Sequence, residues 1–187
     1  RMNPPRGHKS LREPAGPIDP EISVLSFQSK DGTPLAVLAN YSLHYVGGVN
    51  KGDVSADYFG VFASEIEKRL GKKSEHPPLV GILSNGTSGD INNINFRGGN
   101  ARRYGKYEKM REVAELVASR VEDVCTNLHY QDWVPVNSAR RELILKMRRP
   151  NEEQLKHIEE VESKSGDDPV HHRYERIYAE RVRTLMD

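Results

Sequence analysis

The chain has 187 residues, 29% of them charged, with a formal net charge of +1 and a mean hydropathy of -0.72. A length of this order suits one domain or part of a larger one, and the interspersed, nearly balanced charge gives no reason to expect a nucleic-acid or membrane-surface partner. The single cysteine, Cys125, excludes an internal disulfide and any multi-cysteine metal site, and no stretch approaches the roughly 20 apolar residues that span a bilayer.

The chain opens on Arg1 and stops within a helical pattern, Arg181 to Asp187, that carries no cap or turn chemistry. Both ends are therefore expected to be cuts in a longer protein. Residues 1–20 are rich in proline with almost no apolar periodicity, and they predict a loop or arm. Ile22 to Gln28 alternates and is rich in β formers, which predicts a strand. Asp31-Gly32 is a hairpin turn signal, and Pro34 to Tyr41 is the partner strand. Its LAVLA run predicts burial on both faces.

After an irregular stretch with Gly47, Gly48 and Gly52, Ser55 or Asp57 can cap a helix from about Tyr58 to Leu70. Its apolar face is Phe59, Phe62, Ala63, Ile66 and Leu70, and Gly71 ends it. Pro78 to Leu83 is wholly apolar and predicts a short central strand. A polar, Gly- and Asn-rich loop follows from Ser84 to Phe96. The next helix is expected from about Arg102 to Leu128, with Val113, Leu116, Val117, Val121, Val124, Cys125 and Leu128 as its buried stripe. Ser138 to Met147 alternates like an edge strand, Pro150 opens a helix from about Asn151 to Ser163, and a last helix begins near Val170. The order ββαβαβαα predicts a mixed α/β (α+β) fold, a mixed sheet with helices packed on it, as a partial domain. Within it, residues 1–20 are the arm, 21–147 the sheet-forming core and 148–187 a helical extension.

Two loops leave apolar strands, where rigid sheets tend to present functional groups. The first carries His44, whose imidazole can ligate a metal or act as a base. A histidine of this kind is also commonly a core residue hydrogen-bonded to backbone. No HExxH or other cluster at ligand spacing accompanies it, and adjacent His171 and His172 point too far apart on a helix to chelate together. The second loop is Ser84 to Phe96. Amides freed by Gly86 and Gly89 can converge on an anion or a developing oxyanion, and Asp90 can order the loop. An Asn-rich loop that satisfies its own backbone through Asx turns is the structural alternative. A phosphate-binding P-loop is discounted, because no GK[ST] follows and the loop has no lysine. Cys125 lies on an apolar stripe and reads as packing.

Over roughly Asp19 to Asn95 these segments resemble the amino-terminal catalytic domain of neutral/alkaline non-lysosomal ceramidases, as found in uncharacterised bacterial members. The resemblance is carried by Asp19-Pro20 with Leu25 and Phe27, by the Asp31-Gly32 turn, and by the aromatic-to-histidine segment Tyr41 to His44. Val54 to Gly60 and Ser84-Asn85 followed by Gly89-Asp90-Ile91-Asn92-Asn93 add to it. It implies a zinc-dependent hydrolase of N-acyl lipids such as ceramide, in which zinc polarises the amide carbonyl and activates a bound water. It puts His44 on the metal, Asn85 and Gly89 at the substrate, and Asn92, Asp90 and Ser88 at the catalytic centre. It also implies export to the periplasm or the medium.

One departure is serious, because Asn92 stands where the family has a catalytic serine. A carboxamide can donate a hydrogen bond but cannot serve as a nucleophile; Ser88, nearby, is the substitute in reach. The family's other zinc ligands, an upstream histidine and a downstream glutamate and tyrosine, have no match here, so the isolated chain is expected to be inactive and to need the remainder of its domain. The alternative is a non-catalytic module that keeps the sheet and binds a polar ligand, having lost the serine.

Overall fold

The computed structural model describes residues 4, 6–71, 77–89, 91–98, 102–164 and 174–186. The chain divides into two compact units, Arg1–Val134 and Pro135–Asp187.

In the first unit, β1 (Ile22–Gln28), β2 (Pro34–Tyr41) and β3 (Val80–Asn85) form a sheet ordered β1-β2-β3. β1 and β2 are antiparallel, joined by a tight turn in which Gly32 N donates to Ser29 O at 2.9 Å. Gly32 has φ of +84°, a conformation that glycine adopts without steric cost. β3 runs parallel to β2, which requires a crossover; α1 (Asp57–Leu70) supplies it. The mixed sheet with helices on it is the fold class expected from the sequence. β2, not β3, is the central strand: among the described residues the apolar run of β3 lies at an edge.

Alternation decides which side chains meet the helices. Val37 and Ala39 of β2 are wholly buried, with Ile22 and Val24 of β1 and Leu83 of β3 on the same face. Against them α1 sets Tyr58, Phe62 and Ile66, at i, i+4 and i+8, all fully buried. Gly81 lets α1 approach: a Cβ there would come within 2.7 Å of Ala63 O. α2 (Glu108–Cys125) adds Met110, Ala114, Val117, Ala118 and Val121. Val117, Val121 and Cys125 of the predicted stripe are buried, but Leu116, Val124 and Leu128 are exposed, and small alanines sit at the contact because they let helices pack closely. α2 also starts later than Arg102, because Tyr107 takes φ of +61°, outside the helical region. The LAVLA strand is fully buried on one face only. On the other, Leu38 is half-buried and Leu25, Phe27, Val80 and Ile82 are exposed.

In the second unit, residues 135–149 form no regular element and are exposed, with Ile144 99% accessible. The alternation of Ser138 to Met147 therefore does not make a strand here. A strand needs a partner ladder for its backbone groups, and among the described residues none pairs with this segment. α3 (Glu152–Ser163) begins where Pro150 and Asn151 predict. Asn151 accepts from Gln154 N at 2.9 Å while Gln154 Oε1 accepts from Asn151 N at 3.0 Å, a complete capping box. α4 spans Glu175–Thr184; the helix start expected near Val170 lies outside the described residues, which omit 165–173. Ile158 and Val161 of α3 pack on Ala179 of α4, with Val182 beside them.

Candidate functional site

β2 and β3 run side by side, so their carboxyl ends release two loops at one place; the last registered pair is Tyr41 with Asn85. The exits are laced together. Asn40 Nδ2 donates to Ser84 Oγ at 2.8 Å, Gly86 N to Tyr41 O at 3.1 Å, and Thr87 N to Ser42 Oγ at 3.2 Å. Gly86 fits because it has no side chain, since a Cβ would drive into Ser42 Oγ and Asn40 Oδ1.

Beyond these exits the backbone around His44 is held at each step. Buried Tyr58 donates its hydroxyl to Leu43 O at 2.7 Å, and burial pushes its phenol pKa well up. His44 N donates to Ile91 O at 3.1 Å. Asn93 Nδ2 donates to Tyr45 O at 3.3 Å and reaches Val46 O at 3.5 Å. Val46 N and Gly47 N both donate to the Asp57 carboxylate, at 2.8 and 2.7 Å. Asp57 also accepts from Tyr58 N at 2.7 Å, and its own φ is +54°. The expected N-cap role therefore takes another form: the carboxylate serves the loop after His44 as well as the adjoining helical amide. The His44 ring is half-buried and lies against the Tyr45 ring, with centroids 4.1 Å apart.

The structure brings His44 together with the 88–93 bend, and it disperses the other sequence-predicted residues by exposure. Asn85, Gly89 and Asn92 are exposed, whereas Ser88 is buried. Asp90 lies outside the described residues. The expected set of free loop amides is smaller than the glycines suggest. The amides of Gly86 and Thr87 serve Tyr41 and Ser42, Ser88 N donates to Gly86 O at 2.9 Å, and Ile91 N to Ser88 O at 3.1 Å. Four amides that hold the loop's own shape are not available to an oxyanion.

Two further elements reach this loop that the sequence did not single out. The amino-terminal arm lies along it, with Gly7 N donating to Phe96 O at 3.0 Å and Arg6 Nε to Gly98 O at 2.9 Å. Lys109, in the first turn of α2, donates to Asn93 O and, at 2.6 Å, to Asn93 Oδ1. Burial holds its ammonium below the usual lysine range; Glu112 opposes that shift and Arg6 adds to it. No signal in the sequence marked Lys109. Cys125 is buried beside β1, and burial raises its thiol pKa, consistent with packing.

Among the described residues, no group of three or more His, Cys, Asp or Glu could hold a metal ion, and no helix is long and apolar enough to cross a membrane. No family model and no curated protein matches the chain. A solved structure, neutral ceramidase from Pseudomonas aeruginosa, is similar over 59% of this chain and 17% of its own, with 20% identity and a TM-score of 0.48. The chain thus spans less than a fifth of that protein's length.

Proposed function

We propose that this chain is part of a hydrolase of the neutral ceramidase type, cleaving the amide bond of an N-acyl lipid with His44 as one ligand of a zinc ion. The observation that carries the reading is the hydrogen bond from His44 N to Ile91 O at 3.1 Å. It joins the two motifs on which the sequence resemblance rests. The half-buried ring at the strand exit also supports it, because an imidazole sealed in hydrocarbon could not meet a substrate.

The residues of this chain do not by themselves make a catalytic zinc site, which takes about three protein ligands and an open position. His44 supplies one donor, and the described residues supply no such group. On this proposal the remaining donors belong to protein beyond these residues. When bound, zinc would supply Lewis-acid chemistry. The chain's own contribution is to hold the His44 imidazole and to present Asn92, whose exposed carboxamide can donate to a developing oxyanion but cannot attack. Ser88 is buried and shapes the same bend through its backbone.

Metal analysis of the intact protein tests the reading. His44→Ala is expected to bring zinc content to background and to abolish hydrolysis of N-acyl substrates. Full zinc stoichiometry in that variant would falsify the assignment. One observation favours a second reading, a non-catalytic ligand-binding module: asparagine stands at position 92 where the resemblance expects a serine. A metal-free intact protein without amidase activity would support that reading.

A further inference from the structure

We propose that Lys109 is a positioning residue for His44, acting through Asn93. Lys109 extends from the first turn of α2 and grips Asn93 twice, at its backbone carbonyl and at Oδ1, the latter at 2.6 Å. Gripping Oδ1 fixes which way the carboxamide faces, so Nδ2 points at the carbonyls of Tyr45 and Val46, at 3.3 and 3.5 Å. Those carbonyls belong to the two residues that follow His44. On the near side, His44 N is already tied to Ile91 O. The segment bearing the imidazole is thereby fixed to a helix rooted in the core, since Met110, the next residue, is 2% exposed.

The chemistry of each group suits this relay. An ammonium is a donor only, so it must take the oxygen of the amide and leave the nitrogen free to donate onward. A charge-assisted bond to two acceptors is stronger than the neutral bonds it organises. The partly buried ammonium is held below its usual pKa range by burial, a cost the two Asn93 oxygens help to offset. Tyr104 lies 5.5 Å below the ammonium and completes its surroundings.

The link from Lys109 to His44 stands on geometry, and its bearing on catalysis rests on the amidase reading above. Amide hydrogen exchange and imidazole NMR signals of the full, isotope-labelled chain test it without metal. Lys109→Met keeps the aliphatic stem and removes the donors. It is expected to speed exchange of the His44 amide about tenfold and to move the His44 ring signals, while the amides of Phe62 and Ile66 stay protected. Lys109→Arg, which keeps a charge and several donors, should restore most of the protection. Asn93→Ala should reproduce the loosening, and the double variant should add nothing to it.

Unchanged His44 exchange in folded Lys109→Met would overturn the proposal, as would equal acceleration throughout α2 and β3, or full additivity in the double variant. If Lys109→Met does not fold, Asn93→Ala decides alone: it must loosen His44 with the core still protected. Failure here and failure of the zinc reading remain separate, because His44→Ala is judged by metal content and this relay by exchange.

Discussion

On one face of the sheet Val37 and Ala39 are wholly buried, whereas on the other Phe27 is 50% and Val80 49% exposed. The strands are the same, and both faces carry Val, Leu, Ile or Phe. What separates them is that α1 and α2 bring Phe62, Ile66, Ala114 and Val121 to the first face alone. Hydrophobic stabilisation follows the area removed from water, not the residue type. Like residues one position apart along a strand should therefore respond very differently to the same change.

The largest effect is expected at Phe62. Its ring is fully buried between helix and sheet, so Phe62→Ala removes the burial and leaves a cavity, at a cost of about 3–5 kcal/mol. Urea unfolding followed by far-UV circular dichroism measures it. A cost below about 1 kcal/mol would mean that the helix does not pack on this face in solution, and the contrast between faces would fail.

Much of this arrangement was legible in the sequence. Ile22 to Gln28, the Asp31-Gly32 turn and Pro34 to Tyr41 carry local signals, alternation and turn chemistry, that need no tertiary context. Pro150 and Asn151 announced α3 for the same reason. The misses share a different cause. Ser138 to Met147 alternates as a strand does, but strand formation depends on a partner, and partners are not written in the segment itself. Leu116 and Val124 fit a helical stripe, yet which arc of the helix is buried depends on where β1 and α1 lie. At the site, His44 and the Gly89–Asn93 loop stood out by residue type and context. Asp57 stood out only as a helix cap, not as the acceptor for a remote loop, and Lys109 did not stand out, because an ammonium that grips an asparagine looks from sequence like an ordinary solvated charge.

Asp57 sets the next largest effect and extends the comparison to the loops at the strand exits. Its carboxylate accepts from Val46 N, Gly47 N and Tyr58 N, and its φ of +54° suits Asp or Asn far better than alanine. Asp57→Ala removes the charge-assisted bonds and strains the backbone, for about 2–3 kcal/mol. Asp57→Gly should recover only the strain, leaving the two loop amides without their acceptor. If the two variants were equally stable, steric strain at position 57 would be negligible. If Asp57→Gly matched wild type, the carboxylate would have no structural role and the loop after His44 would be held by its other anchors, Asn93 at Tyr45 and Val46, Tyr107 N at Gly48 O and Lys106 at Val49 O.

The smallest effect is expected on the open face. Phe27 is half-exposed there, so Phe27→Ala forfeits only part of a phenylalanine's burial, about 1 kcal/mol, and leaves no closed cavity. The same unfolding experiment used for Phe62 reads it, and the ratio of the two costs is more informative than either. A ratio near three or above, on the order set by those transfer magnitudes, says that water reaches Leu25, Phe27, Val80 and Ile82 in solution as in the structure. A ratio near one says that something covers this face and removes Phe27 from water as fully as α1 removes Phe62. The difference between the faces would then belong to the isolated arrangement of strands and helices, and burial of Phe27 would join that of Val37 and Ala39 in fixing the register that places His44 at its strand exit.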